Sequence, residues 1–223
     1  MTVTALEDKI NYTFSDASLL ETALTHASLR DAARDNERLE FLGDRVLGLV
    51  VADMLFSRFP AENEGSLAKR LTALVQQKAL VRVAKDLRLG DHLKLSAGEA
   101  KSGGGIKDKI LSDATEALIG AIYRDGGFPA ATGMIHTFWA PLLNQQDAPP
   151  EDSKSRLQEW AQSRGLPLPA YRVLGRSGAD HAPEFDVEVT VEGLGTARAS
   201  APNKRAAEKE AARTLFEKTG DKI

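Results

Sequence analysis

"NERLEFLGDRVLGLVVADML", residues 36–55, sets acids among apolar residues at helical spacing. Each residue of an α-helix turns by roughly 100°. With Glu37 at zero, Glu40 falls at about 300° and Asp44 at about 340°, so three carboxylates share one narrow stripe. Leu39, Leu42, Val46, Leu49 and Val50 fall on the other side, the face expected to meet a core. Phe41 sits beside the acids, outside the core arc, and needs cover from its own chain or from a second one. A solvated acidic face accounts for the stripe taken alone. Against that, like charges at i,i+3 and i,i+4 repel without a counter-ion, and Arg38 and Arg45 do not share the stripe well. The stretch predicts a helix and leaves two readings of its acids open: a wet face or a metal site.

A second stretch bears on that choice. "KILSDATEALIGAIY", residues 109–123, carries Asp113 and Glu116 on one helical face and Ile110, Leu111, Ala114, Leu118 and Ile122 on the other. Two apolar helices with short acidic stripes can pack so that the stripes converge. Carboxylates gathered within a few ångströms raise one another's pKa, and a divalent cation removes the conflict. Oxygen donors suit Mg²⁺ or Mn²⁺. With no cysteine in the chain and no paired histidines nearby, zinc is disfavoured.

Composition narrows the remaining classes. The 223 residues are 42% hydrophobic and 27% charged, ordinary for a globular protein. No apolar run is long enough for a membrane span. The opening "MTVTALEDKI" lacks a basic-then-apolar signal pattern, and the expected location is the cytoplasm. A net charge of −3 gives no global attraction for polyanions, so any such partner must be held by local basic patches or bridged by metal.

Apolar periodicity predicts helices near 5–10, 16–30, 36–58, 64–86, 107–125 and 127–145. The glycines of 90–109, with "KSGGG" at 101–105, mark a loop. Polar "NQQDAPPEDSK", residues 144–154, reads as an interdomain connection. Beyond it come a helix at 153–164, strands near 170–176, 184–193 and 196–200, and a helix at 203–218. Phe185, Val187, Val189 and Val191 alternate with Glu184, Asp186, Glu188 and Thr190. The fold class is an all-α N-terminal domain, residues 1–146, a linker, 147–153, and a small α+β domain of order α-β-β-β-α, residues 154–223.

The two acidic helices resemble the signature helices of the ribonuclease III family. "FPAENEGSLAKRLTALV" resembles the family's segment between them, and "LTHAS" (24–28) its early helix. The likeness covers nearly the whole chain, including one C-terminal double-stranded-RNA-binding module. It implies a Mg²⁺-dependent endoribonuclease, with Mn²⁺ able to substitute, that hydrolyses duplex RNA to 5′-phosphate and 3′-hydroxyl ends and processes rRNA and mRNA precursors. It implies that Glu40, Asp44, Asp113 and Glu116 bind metal, with Asp44 and Glu116 closest to the chemistry and Glu37 and Glu64 in support. It also implies a homodimer in which Phe41 packs on the partner. A twofold dimer suits a duplex independently, since it sets one acid cluster against each strand. His26 reads as a buried, hydrogen-bonded histidine rather than a catalytic one. Arg45 departs from the family pattern, which has a small residue there, and two readings stay open for it: a pair with an acid or a contact with RNA. The competing class is a duplex-binding protein that does not cut.

The C-terminal module is expected to read duplex RNA by shape. Ser155, Gln158, Glu159 and Gln162 line one side of its first helix, toward 2′-hydroxyls. His181, in "GADHAPEF", is placed for a second minor groove. Asn203 caps the last helix, where Lys204, Arg205 and Lys209 meet phosphate near a helix N-terminus. The family commonly has serine at the position of Asn203. Residues 147–223 hold 12 basic and 13 acidic residues, so binding is expected to be local and salt-sensitive.

Overall fold

Leu47, Val51 and Leu55 are almost wholly buried, and they anchor the helix predicted from the opening motif. In the computed structural model that helix is α3, Glu37–Arg58. The structure describes residues 3–29, 34–101, 106–145, 148–149, 153–179 and 182–220. The chain divides into two compact units, Met1–Pro150 and Glu151–Ile223.

The first unit is helical: α1 (Val3–Ile10), α2 (Ala17–Ala23), α3, α4 (Glu64–Val75), α5 (Gln77–Leu87), a 3₁₀ turn (Leu89–His92), α6 (Ala97–Lys101) and α7 (Asp108–Leu143). Its centre is the pair α3 and α7. Two glycines let these helices touch. A Cβ on Gly43 would stand 1.8 Å from the Glu116 carbonyl oxygen, and one on Gly120 2.2 Å from that of Leu39. Neither distance is possible for a side chain, so backbone meets backbone at this crossing. The crossing lies between Glu40 and Asp44 on one helix and beside Glu116 on the other, which fixes where the acids meet.

Several boundaries differ from the periodicity. α2 ends at Ala23 instead of continuing to 30, because the chain turns extended to pair with Lys94: the Lys94 N–H donates to Leu24 O at 2.8 Å and the His26 N–H to Lys94 O at 3.1 Å. The segment 64–86 is two helices, broken where Gln76 is extended (φ −72°, ψ 158°). α7 runs through both predicted helices, with its break at Gly127 (φ 74°, ψ −172°). Pro129 follows in the first turn of the second limb, where a missing N–H costs little. Buried Arg70 clamps the turn before α4: it donates to Glu62 at 2.8 and 2.6 Å and lies 3.8 Å from the Phe59 ring centroid.

Leu49 is a correction. The helical wheel put it on the core face, yet it is 60% exposed, as are Phe41 at 68% and Phe56 at 73%. These three share an arc of about 80° on α3. Leu49 sits at the edge of the apolar arc, where tertiary neighbours decide which residues are covered, and here none covers it.

The second unit is α8 (Ser153–Ser163), strands β1 (Ala170–Ala179), β2 (Ala182–Val191) and β3 (Gly195–Ala201), and α9 (Lys204–Glu217). The sheet is antiparallel in the order β1-β2-β3, with a bulge in β1 between Val173 and Gly175. Val187, Val189 and Val191 point inward, as the alternation predicted. Leu157 and Ala161 of α8 and Ala211, Ala212, Leu215 and Phe216 of α9 close the core over them. Among the described residues no helix is long and apolar enough to cross a membrane.

Candidate functional site

A pocket of about 590 Å³ opens where α3 and α7 cross. Glu37, Glu40 and Asp44 line it from α3, Asp113 and Glu116 from α7, with Lys109, His26 and Asn36 among the other walls. Carboxylate oxygens of Glu40, Asp113 and Glu116 lie within 4.8 Å of one another. Asp44 is outside that trio, and its carboxylate bonds Arg45 Nη1. Glu64, at the first turn of α4, does not line the pocket. Phe41 stands at its rim with its ring exposed.

The charges are incompletely matched. Lys109 Nζ reaches Asp113 at 2.8 Å, and this bond holds the lysine's pKa above its usual range. Arg45 takes Asp44. No ion pair reaches Glu40 or Glu116 among the described residues. Burial pushes the Glu116 carboxyl up to about 8, and the charges of Asp44, Glu40 and Asp113 push the same way. Glu40 is raised as well, by burial first and then by Asp113. An acid that keeps its proton near neutral pH for want of a cation sits in a site that a cation can complete. All the donors are oxygen, which fits a hard divalent ion.

Three wall residues lay beyond the acidic pattern. Lys109 is legible as the i,i+4 partner of Asp113. His26, expected to be buried, is only half-buried because it lines the open pocket, and its Nδ1 accepts from the Ser28 N–H at 3.2 Å. Asn36 is 2% exposed, and its Nδ2 has no hydrogen-bond partner; nothing in the sequence marks that.

On the second unit, Gln158, Glu159 and Gln162 are exposed on α8 and Ser155 is half-buried, on the side away from Leu157 and Ala161. The Asn203 side chain accepts from the Ala206 N–H at 2.9 Å and so caps α9. Lys204 and Arg205 are exposed in the first turn and Lys209 is half-buried one turn on. Lys204 Nζ lies 5.9 Å from the Phe185 ring centroid. His181 and residues 102–105 of the glycine loop lie outside the described residues.

Comparison with known proteins adds to this geometry. A family model described as Ribonuclease-III-like matches residues 16–142, and one described as double-stranded RNA binding motif matches residues 153–218. Ribonuclease 3 of Caulobacter vibrioides is 51% identical over 219 residues, covering 96% of this chain and 95% of that protein. Ribonuclease 3 of Ehrlichia ruminantium is 46% identical over 226 residues, 100% of both. Among solved structures, the nuclease domain of ribonuclease III from Campylobacter jejuni is 43% identical with a TM-score of 0.59. It covers 62% of this chain and 99% of that one, and is described for flexibility in its region involved in dimer formation.

Proposed function

Since the chain belongs to the ribonuclease III family, we propose how its residues carry out that family's reaction. The protein is an endoribonuclease of double-stranded RNA. Its chemistry is metal-dependent and leaves 5′-phosphate and 3′-hydroxyl ends, as follows from the family. Mg²⁺ is the ion we assign, with Mn²⁺ as a substitute, and Glu40, Asp44, Asp113 and Glu116 are the residues that hold it. The convergence of the Glu40, Asp113 and Glu116 oxygens within 4.8 Å carries that assignment. When bound, a divalent cation supplies Lewis acidity at the phosphate and makes water a competent nucleophile near neutral pH. Glu116 gives up the proton it keeps in the metal-free site. Without compensation the acids would repel the RNA backbone, so loading the site also admits the substrate. Glu37 acts at the pocket wall and Glu64 from α4, both in support.

A homodimer places one pocket against each strand of a duplex. The exposed arc of Phe41, Leu49 and Phe56 on α3 supports that assembly, because large apolar side chains in a row mark a surface awaiting cover. Cuts offset across the minor groove then leave short 3′ overhangs. In the second unit, Ser155, Gln158, Glu159 and Gln162 face 2′-hydroxyls, and Asn203, Lys204, Arg205 and Lys209 face phosphates. Processing of rRNA and mRNA precursors in the cytoplasm is the setting we assign.

The test is incubation of the dimeric protein with a plain RNA duplex and each of three ions. Mg²⁺ and Mn²⁺ should support cutting. Ca²⁺ should support binding with little cutting. A dimer that binds the duplex but leaves it whole with both Mg²⁺ and Mn²⁺ would overturn the assignment and leave a non-catalytic duplex binder.

A further inference from the structure

The residue after Asp44 is an arginine, and it engages Asp44 directly. Arg45 Nη1 bonds the Asp44 carboxylate, while its guanidinium carbon lies 5.6 Å from the Phe41 ring centroid. Asp44 is close enough to lead the neighbouring charges acting on Glu116. Its oxygens are nonetheless absent from the trio that converges within 4.8 Å. Asp44 is at the site and turned aside from it.

We propose that Arg45 is a resident counter-ion that a divalent cation must displace from Asp44, so that this arginine sets how much metal the site requires. The inference rests on the metal reading above and deepens it. Lys109 behaves differently: its partner Asp113 is paired and still belongs to the converging trio. Asp44, paired with Arg45, is outside that trio. The side chains of the Arg45–Asp44 pair are 69% and 40% exposed, and a pair so wet shifts an equilibrium by only a few-fold. That is the right size for a counter-ion that yields to a divalent cation instead of blocking it. The Phe41 face steadies the guanidinium in the pairing position. Arg45 acts through Asp44, and is thus a positioning residue.

Calorimetric titration of Mn²⁺ into the RNA-free dimer reads this directly. Arg45→Gln should bind Mn²⁺ about two- to fivefold more tightly than wild type. Arg45→Lys, which keeps the charge next to Asp44, should lie at or near wild type. Arg38→Gln, which removes a cation from the same helix, should leave the affinity unchanged. In cleavage assays the Mg²⁺ titration of Arg45→Gln should shift to lower concentration by the same factor with its plateau held. Equal affinity of wild type and Arg45→Gln, or an equal gain from Arg38→Gln, would overturn the counter-ion role while leaving the metal reading intact. Failure of wild type to take up Mn²⁺ at all would remove the metal reading and this inference together. Chromatography of each variant checks that the oligomeric state is the same.

Discussion

Glu116 and Glu188 are both glutamates among charges, one in each unit, and they meet opposite conditions. Glu188 lies between Arg198 at 2.8 Å and Arg172 at 3.0 Å, and those bonds hold its carboxyl below the usual range. Glu116 has acids for neighbours and is pushed up to about 8. The contrast extends beyond the two residues. In the small unit Arg213 pairs with Glu210 and Glu217, and Lys154 with Glu208 at 2.6 Å. The helical unit pairs Asp44 and Asp113 and, among the described residues, leaves Glu40 and Glu116 without an ion pair. A unit that only holds a ligand can satisfy its own charges and present polar groups outward. A unit that performs chemistry keeps an electrostatic conflict that its cofactor resolves.

The sharpest way to break that contrast is Glu116→Gln. The amide matches the shape and removes the charge. Cleavage with Mg²⁺ should fall by about 10³-fold or more, the scale of several kcal/mol of lost metal assistance. Duplex binding by gel shift in Ca²⁺ should stay within about threefold, since the small unit is untouched. The same variant tests the raised pKa. A group whose folded-state pKa is raised stabilises the fold below its unfolded value and loses that contribution as pH rises through the folded one. For Glu116 the window runs from 4.5 to about 8. The metal-free wild type should lose more melting temperature across it than Glu116→Gln, which keeps only the raised Glu40, and Mn²⁺ uptake near pH 7 should release a proton that the variant does not. Equal loss of cutting and binding would mean that the two units do not divide the work as described.

Gly43→Ala comes next in size. The added methyl would meet the Glu116 carbonyl at 1.8 Å, and helix backbone yields little. Forcing α3 and α7 apart should cost about 3 kcal/mol of stability or more and depress cleavage further by spreading the acids. Gly133→Ala is the matched control. A Cβ there meets nothing within 4 Å, and alanine should stabilise that exposed helical position by about 0.5–1 kcal/mol. Thermal melts of the pair check both signs.

Those glycines show where the sequence stops informing. The acidic stripe of α3, the Asp113–Glu116 pair, the break near Gly127 and the β2 alternation were all legible, because each is a local period or a local breaker. The Gly43–Gly120 approach was not. A glycine in a helix reads as a weak point until the register of the opposing helix is known. Leu49 was placed on the wrong side for the same reason: periodicity defines an arc, and only packing defines its covered part. For Arg45 the sequence left a pair with an acid and a contact with RNA open, and it did not point to Asp44, since i,i+1 residues on a helix do not face each other. α2 stopped early because Lys94, distant in sequence, captured the following strand-like segment. The second unit was more transparent along β2 and β3, where buried positions alternate with more exposed ones.

Deleting residues 147–223 sharpens the division of labour from the other side. Duplex affinity at physiological salt should fall by about tenfold or more, as phosphate contacts are lost. The cleavage rate at saturating duplex and low salt should stay within a few-fold, because every acid of the pocket lies in the remaining unit. A truncated protein that binds as before would place the main RNA contacts on the helical unit.

The smallest effect is the most local. Asn203 has extended backbone (φ −148°, ψ 157°) and its side chain accepts from the Ala206 N–H, which frees the helix end of one orphan donor. Lys204 and Arg205 depend on that first turn for their direction. Asn203→Ala should cost the small unit about 1 kcal/mol, read as a lower melting point. It should weaken duplex binding by a few-fold while leaving the Mg²⁺ titration of cleavage at saturating RNA where it was. Asn203→Ser keeps a capping oxygen and should recover most of both losses. If alanine lowers stability and affinity together and serine restores them together, the cap is what aims the basic turn. If affinity falls and serine does not restore it, Asn203 itself touches RNA, and the small unit has a base- or sugar-facing contact that its helix geometry alone does not explain.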